Sequence, residues 1–483
     1  MFIIVDKDIN EKSNEDINGS SNDTNMGSNT NDNSNLNPNP NEEDEEEDED
    51  KMIVGSRIRE YQCLSEDLEK DLSNLSQILQ KMRIFSNKEI DEINESIDVL
   101  FSEYIENNVL CISCPKFDKN LTKYIYGNVS AQIAHLYGPS MQYRVRIRIN
   151  KLIKNRKFML YTTIMPRRSQ KSSFIRNIKF SAENRDSVMC QLAILKNMPQ
   201  PSQRTDEWYV FRHNLLTASS IWKALGSQSS KNQIIYEKCM PYNTHKNAPM
   251  DSPLHWGQKY EPVSVELYKK LYNTIVSDFG CIQHTEFPFI GASPDGINTD
   301  INNPRYGRML EIKNIVNREI DGNPKLEYWI QMQLQMETCG LNECDFLETK
   351  FVEYESEEAF LADKDDVSRV KGRIILFSYT GDYHYEYEPL DSTEEAKLEW
   401  ENQVLAKNSH GEWIKNIFWK LEKYSCVLVL RNKLWLHNAI PHIEEIWNII
   451  LKERISGFAH RAPKKRKTTA PEILVNKCYI DIE

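Results

Sequence analysis

The spacing of apolar residues predicts helices towards both ends of the chain. In the segment 52–108 these residues recur at intervals of three or four: Leu68, Leu72, Leu75, Leu79, Ile90, Ile93, Ile97 and Leu100. Such intervals place side chains on one face of a helix. Similar spacing predicts helices over 393–423 and about 441–457. We therefore expect helical segments to flank a central part of different character.

Apolar and polar residues alternate in two segments between these helices. In YRVRIRIN (143–150), arginines alternate with Val145, Ile147 and Ile149, which is the period-two pattern of a half-buried strand. FMLYTTIM (158–165) is predicted to be its partner strand. The region ahead of position 200 is therefore expected to combine helices with basic strands.

The negative charge of the chain is concentrated in its first fifty residues. The 483 residues have a formal net charge of −12, of which residues 1–50 contribute −14, so the other 433 residues carry +2. Asn, Ser and acidic residues dominate 1–51, which cannot bury enough apolar surface to fold and is predicted to be disordered. The remainder is near neutral, which leaves room for a basic groove.

Length and hydropathy limit the class of protein. A chain of 483 residues is expected to form two or three domains. No run of 18 apolar residues occurs, so no membrane span is expected, and scattered cysteines fit an intracellular protein. The predicted segments are a disordered tail (1–51), an N-terminal α+β region (52–200), a central domain (201–392), a helical segment (393–458) and a basic polar tail (459–483).

Two short features add alternatives. Cys111 and Cys114 form a CxxC pair, but no second pair follows at zinc-finger spacing, which disfavours zinc. PKKRK (463–467) matches a basic nuclear-import signal. A solvated or phosphate-contacting tail is the alternative for that cluster.

Basic residues dominate the segment 143–180, which contains twelve Lys or Arg and no Asp or Glu. A solvated face usually mixes charges of both signs, so this bias favours contact with a nucleic-acid backbone. A surface that packs on acidic neighbours is the alternative. The candidate DNA track consists of Arg144, Arg146, Arg148, Arg167 and Arg168.

The central domain contains two carboxylates and an amine in a suggestive order. Asp295 lies in a tight turn after the strand-like FPFIGAS, and Glu311 and Lys313 lie two residues apart in MLEIK, so they share one face of a predicted strand. If the strands pair, the carboxylates converge and can hold Mg²⁺, while Lys313 orients or deprotonates the attacking water. A salt-bridge ladder in an ordinary hairpin is the alternative.

Polar residues on the neighbouring predicted helices complete this candidate site. Glu261 lies beside the apolar stripe of a helix over 254–272 and can supply a further carboxylate. Thr217 is predicted to cap a helix whose first turn contains Ser219, where free N–H groups attract phosphate. Arg212 can bind the same anion with its guanidinium.

A third predicted helix, 325–340, carries a polar stripe on an otherwise apolar sequence. Tyr328, Gln331 and Gln335 lie at i, i+3 and i+7. A polar face turned towards an active site explains this stripe, and a solvent-facing stripe is the alternative.

The order of these motifs over about 203–350 resembles the lambda-exonuclease/YqaJ-type viral recombinase family. The motifs are R-T-x-E-W, R, T-A-S, W-G-x-x-Y-E, S-P-D-G, L-E-I-K and Y-x-x-Q-x-Q. These proteins are two-metal nucleases of the PD-(D/E)xK superfamily. The resemblance therefore implies an α/β fold with a restriction-endonuclease-like core, a mixed central sheet flanked by helices, and makes 201–392 a YqaJ-like exonuclease domain.

The resemblance also implies roles for the metal-site residues. Asp295 and Glu311 would bind the metal together with the backbone carbonyl of Ile312, and Lys313 would serve the nucleophilic water. Glu261 matches an additional acidic residue at the metal site.

The remaining matches concern the DNA end. Arg212 and Ser219 match positions that bind the 5′-phosphate. Gln331 matches the helix position that approaches the active site, and Tyr328 matches the motif's tyrosine, with a less defined role.

The function predicted from the sequence is Mg²⁺-dependent resection of double-stranded DNA ends, 5′→3′, for viral recombination or replication, with Mn²⁺ as a substitute. A structure-specific endonuclease or resolvase and a non-catalytic DNA-end-binding scaffold are the alternatives. Expected partners are DNA, a single-strand annealing protein and further copies of the chain. The composition and the resemblance suggest a large DNA virus, with the protein in the host cytoplasm (the viral factory), the nucleus or the virion.

Overall fold

The computed structural model describes most of the chain from residue 84 to residue 463. The described ranges are 84–133, 136–138, 142–173, 182–203, 205–241, 252–363, 370–380, 382–390 and 392–463. The predictions for the tail 1–51, for the apolar series at 68–79 and for residues 464–467 of the PKKRK cluster lie outside these ranges.

Within the described part of residues 84–197, four helices lie ahead of most strands of the central sheet. Ser86 begins the first one with a reciprocal capping box, in which its hydroxyl accepts from the Glu89 N–H and the Glu89 carboxylate accepts from the Ser86 N–H,. Ile93, Ile97 and Leu100 are buried on this helix, as their spacing predicted. The four helices are α1 (Asn87–Asn108), α2 (Phe117–Ile133), α3 (Gln142–Thr163) and α4 (Ala182–Asn197).

The prediction of strands at 143–150 and 158–165 was wrong, because both segments belong to helix α3. Val145, Ile149 and Leu160 are buried on one face, whereas Ile147 is 43% exposed. Alternation over eight residues therefore imitated a strand, but the apolar positions of the full 22-residue segment follow the helical period. The part of this region that the structure describes has helices and one short strand, Gln170–Lys171, instead of the predicted basic strands.

A mixed sheet of eight strands forms the centre of the fold. The strands are β1 (Gln170–Lys171), β3 (Val276–Ser277), β6 (Gly296–Asn298), β7 (Met309–Asn314), β8 (Glu343–Glu353), β9 (Lys371–Tyr379), β10 (Asp382–Tyr387) and β11 (Glu412–Leu430). The path of the sheet runs β10-β9-β11-β8-β7-β6-β3, and β1 pairs with β11. The β7–β8 pair is parallel and its neighbours are antiparallel, which confirms the predicted α/β class.

A second, three-stranded sheet lies beside the first. Its order is β2-β5-β4, with β2 at Leu216–Thr217, β4 at Ile282–Gln283 and β5 at Ile290–Ala292. The sequence analysis predicted that Thr217 caps a helix. Thr217 instead belongs to strand β2. Only a short 3₁₀ turn, Ile221–Lys223, follows it.

The helices around the sheets carry or support the candidate site. The helix predicted at 325–340 is confirmed, and most of its side chains are buried, with Gly340 in the left-handed conformation at its end,. The remaining helices are α5 (Asp206–His213), α6 (Gln228–Cys239), α7 (Pro253–Tyr272), α8 (Leu326–Cys339), α9 (Glu357–Ala362), α10 (Glu394–Lys407) and α11 (Lys433–Ser456).

The C-terminal segment is only partly helical. Helices α10 and α11 confirm the prediction over much of 393–423 and 441–457, but residues 412–423 belong to strand β11. Eight of the nineteen residues of that strand are aromatic or β-branched, and such residues favour the pleated surface of a sheet. Since β11 pairs with β8 and β9, the predicted boundary at 392/393 cuts through one sheet.

The N-terminal helices and the sheet share one hydrophobic core. Trp329 of α8 packs edge-to-face on Trp435 of α11, with ring centroids 5.1 Å apart, and the Trp435 indole donates to the carbonyl of Leu110, 3.2 Å away. The described residues from 84 onward accordingly belong to one compact unit, and no folding boundary falls near 200.

Candidate active site

The carboxylates predicted from the sequence converge where β5, β6 and β7 meet. Asp295 occupies the turn between β5 and β6, and its Oδ2 accepts from the backbone N–H of Ile312 at 2.7 Å. Glu311, next to Ile312 on β7, is fully buried. Strand pairing therefore brings together side chains that are sixteen positions apart in the sequence.

Lys313 lies between the carboxylates. Its Nζ donates to Oε1 of Glu311 and lies 5.2 Å from the ring centroid of Tyr328. The predicted shared face of Glu311 and Lys313 on β7 is thus confirmed. Burial alone would lower the pKa of Lys313, but attraction to Glu311 and Asp295 outweighs it and raises the pKa above its ordinary value,, so the amine is a cation at neutral pH.

The site has more negative than positive charge. Burial, together with repulsion from Glu311 and Glu261, raises the pKa of Asp295 well above its usual range, against the opposing effects of Lys313 and the Ile312 N–H,. Asp295, Glu311 and the nearby Glu261 therefore carry more negative charge than the one ammonium group of Lys313 can balance. Such an imbalance is stable only where a further cation is taken up or a proton is held.

Glu261 and Asp295 line a cleft of about 720 Å³. Glu261 stands on helix α7, in the wall of this cleft. Within the described ranges, no three His, Cys, Asp or Glu side chains form a metal-binding cluster. Glu261 therefore does not complete a cage of three carboxylates with Asp295 and Glu311.

The residues nevertheless fit Mg²⁺. This ion is commonly bound through one or two carboxylates, with water and phosphate oxygens filling its other positions. Asp295 and Glu311 supply two carboxylates of this kind. The carbonyl of Ile312 is directed to the same edge of β7 as its N–H, because both groups of a strand residue point to one side.

A glutamine that was not assigned to the site from the sequence holds Glu311 in place. Gln335 of α8 is fully buried, and its Nε2 donates to Oε2 of Glu311 at 2.7 Å and to the carbonyl of Ser293 at 3.3 Å. The signal was present in the sequence, since Gln335 lies four residues after Gln331 and so on the same helix face. Gln331 is also largely buried.

The residues predicted to bind phosphate form a second polar cluster. The Arg212 guanidinium donates to the hydroxyl of Ser219 at 3.3 Å and to that of Ser293 at 3.2 Å. It lies 4.2 Å above the ring of Trp208, whose indole also donates to Ser293 at 3.2 Å. Ser219 is exposed in the turn after β2 and does not lie in the first turn of a helix.

Arg212 lacks a carboxylate partner at ion-pair distance among the residues that the structure describes. Burial lowers the pKa of Arg212, and Cys281, Tyr209 and Asp295 oppose this shift. A half-buried guanidinium that has no carboxylate at ion-pair distance is suited to bind an anion. Ser293, two residues before Asp295 and missed in the sequence analysis, links this anion pocket to the carboxylates.

The arginines of the candidate DNA track fall into two groups. Arg144, Arg146 and Arg148 are exposed or half-buried on α3, and Arg167 is exposed with its guanidinium 5.3 Å from the Phe158 ring. Arg168 is half-buried and makes hydrogen bonds within the fold.

Arg168 connects the segment at Ser113 with the segment before α8, and so does not belong to the candidate DNA track. Its guanidinium donates to the carbonyls of Ser113 and Pro324 and to the side chain of Asn323. Burial lowers the pKa of Arg168 to about 10. This side chain is therefore committed to internal contacts.

Comparison with known sequences supports the resemblance. Residues 207–342 match the family described as YqaJ-like viral recombinase domain, which confirms the predicted relationship. An uncharacterized protein of Acanthamoeba polyphaga mimivirus is 29% identical over 306 residues, 54% of this chain and 54% of that protein. The chain thus matches about half the length of this curated relative, which comes from a large DNA virus.

Solved structures were also compared. An alkaline exonuclease from Laribacter hongkongensis has 18% identity and a TM-score of 0.31, covering 52% of this chain and 94% of its own. A phage related exonuclease from Haemophilus somnus has 12% identity and a TM-score of 0.29, covering 51% of this chain and 96% of its own.

None of the helices in the described part of the chain combines the length and apolar character needed to cross a bilayer.

Proposed function

We propose that this protein is a Mg²⁺-dependent deoxyribonuclease that resects double-stranded DNA ends in the 5′→3′ direction. The match to a viral recombinase domain over 207–342 supports DNA as the substrate. The observation that carries the proposal is the meeting of Asp295, Glu311 and Lys313 beside the cleft, with the pocket of Arg212 joined to them through Ser293.

Asp295 and Glu311 would hold the metal ion, with the carbonyl of Ile312. Bound there, Mg²⁺ supplies stabilisation of the charge that develops on the phosphate and polarises a water molecule. Gln335 holds Oε2 of Glu311, so that the carboxylate is oriented before metal arrives. Glu261, on the wall of the cleft, acts through water. Mn²⁺ should substitute, because it accepts the same oxygen ligands.

Lys313 acts as a cation in this mechanism. Because its pKa is raised by Glu311 and Asp295, it is a poor base, and it serves by orienting the attacking water and by compensating charge on the phosphate. Tyr328, whose ring lies 5.2 Å from the Lys313 Nζ, limits the positions that the amine can occupy.

The Arg212 pocket gives the reaction its polarity. A terminal 5′-phosphate bound by Arg212, Ser219 and Ser293 places the adjoining nucleotide towards Asp295, two residues away from Ser293. A free DNA end is then required, and cleavage starts from the 5′ terminus. Gln331 lies on the same face of α8 as Gln335 and faces the bound strand.

A digestion assay tests the proposal. Linear duplex with 5′-phosphate, linear duplex with 5′-hydroxyl and closed circular DNA are incubated with Mg²⁺ or with EDTA. We expect Mg²⁺-dependent release of nucleotides from the 5′ end of linear DNA, fastest with a 5′-phosphate, and an intact circle. Nicking of the circle would identify an endonuclease or resolvase, and binding of ends without degradation would identify a scaffold.

The variant Arg212→Ala tests separately whether the Arg212 pocket binds the 5′-phosphate. Losing the charged hydrogen bonds to the phosphate should reduce the preference for 5′-phosphorylated ends about 10- to 100-fold, while cleavage of 5′-hydroxyl DNA persists. Arg212→Lys keeps the charge without the fork and should retain part of the preference. A preference that survives Arg212→Ala would place the phosphate pocket elsewhere.

A further inference from the structure

Helix α3 has an outer face of one sign of charge that the proposed cleavage site does not use. Its 22 residues include seven Lys or Arg and no Asp or Glu. Arg156 contacts Asp98 and Lys157 contacts Asp118. We call the other five cations, which are exposed or half-buried, the α3 basic face: Arg144, Arg146, Arg148, Lys151 and Lys154.

The α3 basic face is directed away from the core. Arg144, Arg148, Lys151 and Lys154 lie on the side of α3 away from its buried residues, and Arg146 is exposed near the start of the helix. The buried Val145, Ile149 and Ile153 pack against α1 and α2. In the part of the chain that the structure describes, Arg144, Arg146, Arg148 and Lys154 have no carboxylate partner. Like charges one turn apart, such as those of Arg144 and Arg148, repel and weaken a helix. An anionic partner would turn this cost into an attraction.

Contacts within the fold join this helix to the candidate active site. Just beyond α3, Arg168 holds the carbonyl of Pro324, and its own carbonyl accepts from the Trp329 indole at 2.9 Å. Pro324 and Trp329 flank the start of α8, which carries Tyr328 beside Lys313. The C-terminal end of α3 therefore adjoins the element that lines the site.

We propose that the α3 basic face binds the phosphate backbone of duplex DNA and extends the contact of the enzyme beyond the cleaved end. Duplex DNA has a higher density of negative charge than a single strand, so charge complementarity favours it. The proposal rests on the proposed function for its choice of DNA. It assigns a role to the N-terminal helices, which lie outside the matched residues 207–342.

The salt dependence of binding tests this proposal. Affinity of the full chain for a 40-base-pair duplex is measured by fluorescence anisotropy in Ca²⁺ or EDTA, so that no cleavage occurs. The triple variant Arg144→Gln, Arg146→Gln, Arg148→Gln should lower the slope of log K against log salt by about 2.7, since each duplex phosphate contact contributes about 0.9. Between 50 and 200 mM salt, wild-type affinity should fall about 40-fold more than that of the variant.

Two controls separate charge from folding and from location. Replacing the same three arginines by lysine preserves the charge and should preserve the slope. Replacing the exposed Lys116, Lys119 and Lys123 by Gln removes three charges at and beside α2 and should leave the slope within error. Equal losses in the Lys and Gln variants of α3, or in the α2 variant, would overturn the proposal.

Two further arms identify the partner. If the triple Gln variant lost affinity for a single-stranded oligonucleotide but not for duplex, or lost binding to phosphatidylserine vesicles with DNA binding unchanged, the assignment to duplex DNA would be wrong. A wild-type chain that degrades no DNA, combined with the expected change of slope, would refute the nuclease and leave the α3 basic face in place. DNA cleavage by the wild-type chain, combined with an unchanged salt slope in the triple Gln variant, would support the nuclease and overturn the role of the α3 basic face.

Discussion

Two clusters of buried charges in this protein differ in how their charges are balanced. In the first, Arg308 is fully buried and donates to Glu343 at 3.0 Å and to Asp345 at 3.1 Å, while Arg305 also pairs with Asp345. In the second, the carboxylates of Glu311 and Asp295 face the single amine of Lys313, and Glu261 adds repulsion on Asp295. The first cluster is complete without a ligand, whereas the second has unused capacity for a cation.

The contrast extends to the neighbourhood of each cluster. The Arg308 cluster is closed by further internal hydrogen bonds, for example from the Arg308 guanidinium to the carbonyl of Ser172 at 2.9 Å. The carboxylates at Asp295 and Glu261 line a cleft. Charge balance together with access therefore distinguishes a cluster that stabilises the fold from one that is suited to chemistry.

The largest effect expected from this contrast is on activity at Asp295. Asp295→Asn removes a metal ligand and should lower the cleavage rate about 10³-fold or more. Thermal stability should be unchanged or slightly higher, because repulsion from Glu311 and Glu261 is relieved. Cleavage of labelled linear duplex and a melting curve measure the two properties, and binding of the duplex in Ca²⁺ serves as the control. A rate near that of the wild type would remove Asp295 from the mechanism.

Arg308→Ala should have the opposite profile. It leaves Glu343 and Asp345 buried without their partner, which we expect to cost about 3–5 kcal/mol in the free energy of unfolding. Urea denaturation measures this loss. The conservative Arg308→Lys should be less harmful but should not restore the two-sided contact. Loss of cleavage at unchanged stability would mean that the two clusters are not distinct in role.

Gln335→Ala tests whether Glu311 depends on its hydrogen bond. We expect the Mg²⁺ concentration for half-maximal rate to rise about 10- to 100-fold, as is typical when a ligand loses its supporting contact. The rise in melting temperature with added Ca²⁺ should weaken in parallel, which reports metal binding without turnover.

Gln333→Ala is the matched control for that experiment. Gln333 lies on the same helix but contacts the Leu430 carbonyl at 3.1 Å and the Asn432 N–H at 2.7 Å. Its replacement should reduce stability and leave the Mg²⁺ requirement unchanged. Equal shifts in the metal requirement of both variants would show a general loss of packing in α8.

The smallest effect concerns the excess positive charge behind Arg212. Lys238 donates to the carbonyl of Arg212 at 2.7 Å, and burial, with Arg212 and Arg454 nearby, lowers the pKa of Lys238 to about 7. Between about pH 7 and pH 10 the unfolded chain binds this proton more strongly than the folded chain, so the contribution of Lys238 to stability rises with pH. Below about pH 7 Lys238 is protonated in both the folded and the unfolded chain, and its unfavourable contribution to stability is largest,.

Lys238→Met should therefore stabilise the protein more at pH 6 than at pH 9.5, as measured by melting temperatures. Lys231→Met, two turns earlier on the same helix, removes one lysine away from Arg212 and provides the comparison. An equal gain from Lys238→Met at both pH values would show that packing, and not charge, is responsible.

The order of motifs along the chain was sufficient to predict the carboxylates and the lysine. Glu311 and Lys313 could be placed on one face because a strand has a fixed period of two. Gln335 was placed on a polar helix face but its contact with Glu311 was not predicted, and Ser293 was missed, since both roles arise from a contact between α8 and the turn before Asp295. That contact depends on how a helix packs against a sheet, which the spacing of residues along one element does not specify.

The secondary structure was predicted well only where one periodicity fitted a whole element. The apolar positions of α1 and α8 repeat over several turns, so these helices followed from the sequence. In 143–150 the local alternation favoured a strand, but burial against α1 and α2 selected the helix. In the first part of β11 the local spacing predicted a helix, but pairing with β8 and β9 selected the strand.

By itself, the sequence determined the identity of the reactive groups and the class of the fold, because these depend on residue type, order and local period. Only the tertiary structure decided that one core unites the N-terminal helices with the sheet, that Arg168 is internal and that Gln335 supports Glu311. The physical reason is that hydrogen bonds and burial are satisfied between distant segments, as when β11 pairs with β9 along Glu412–Lys420 and with β8 along Trp419–Leu430,.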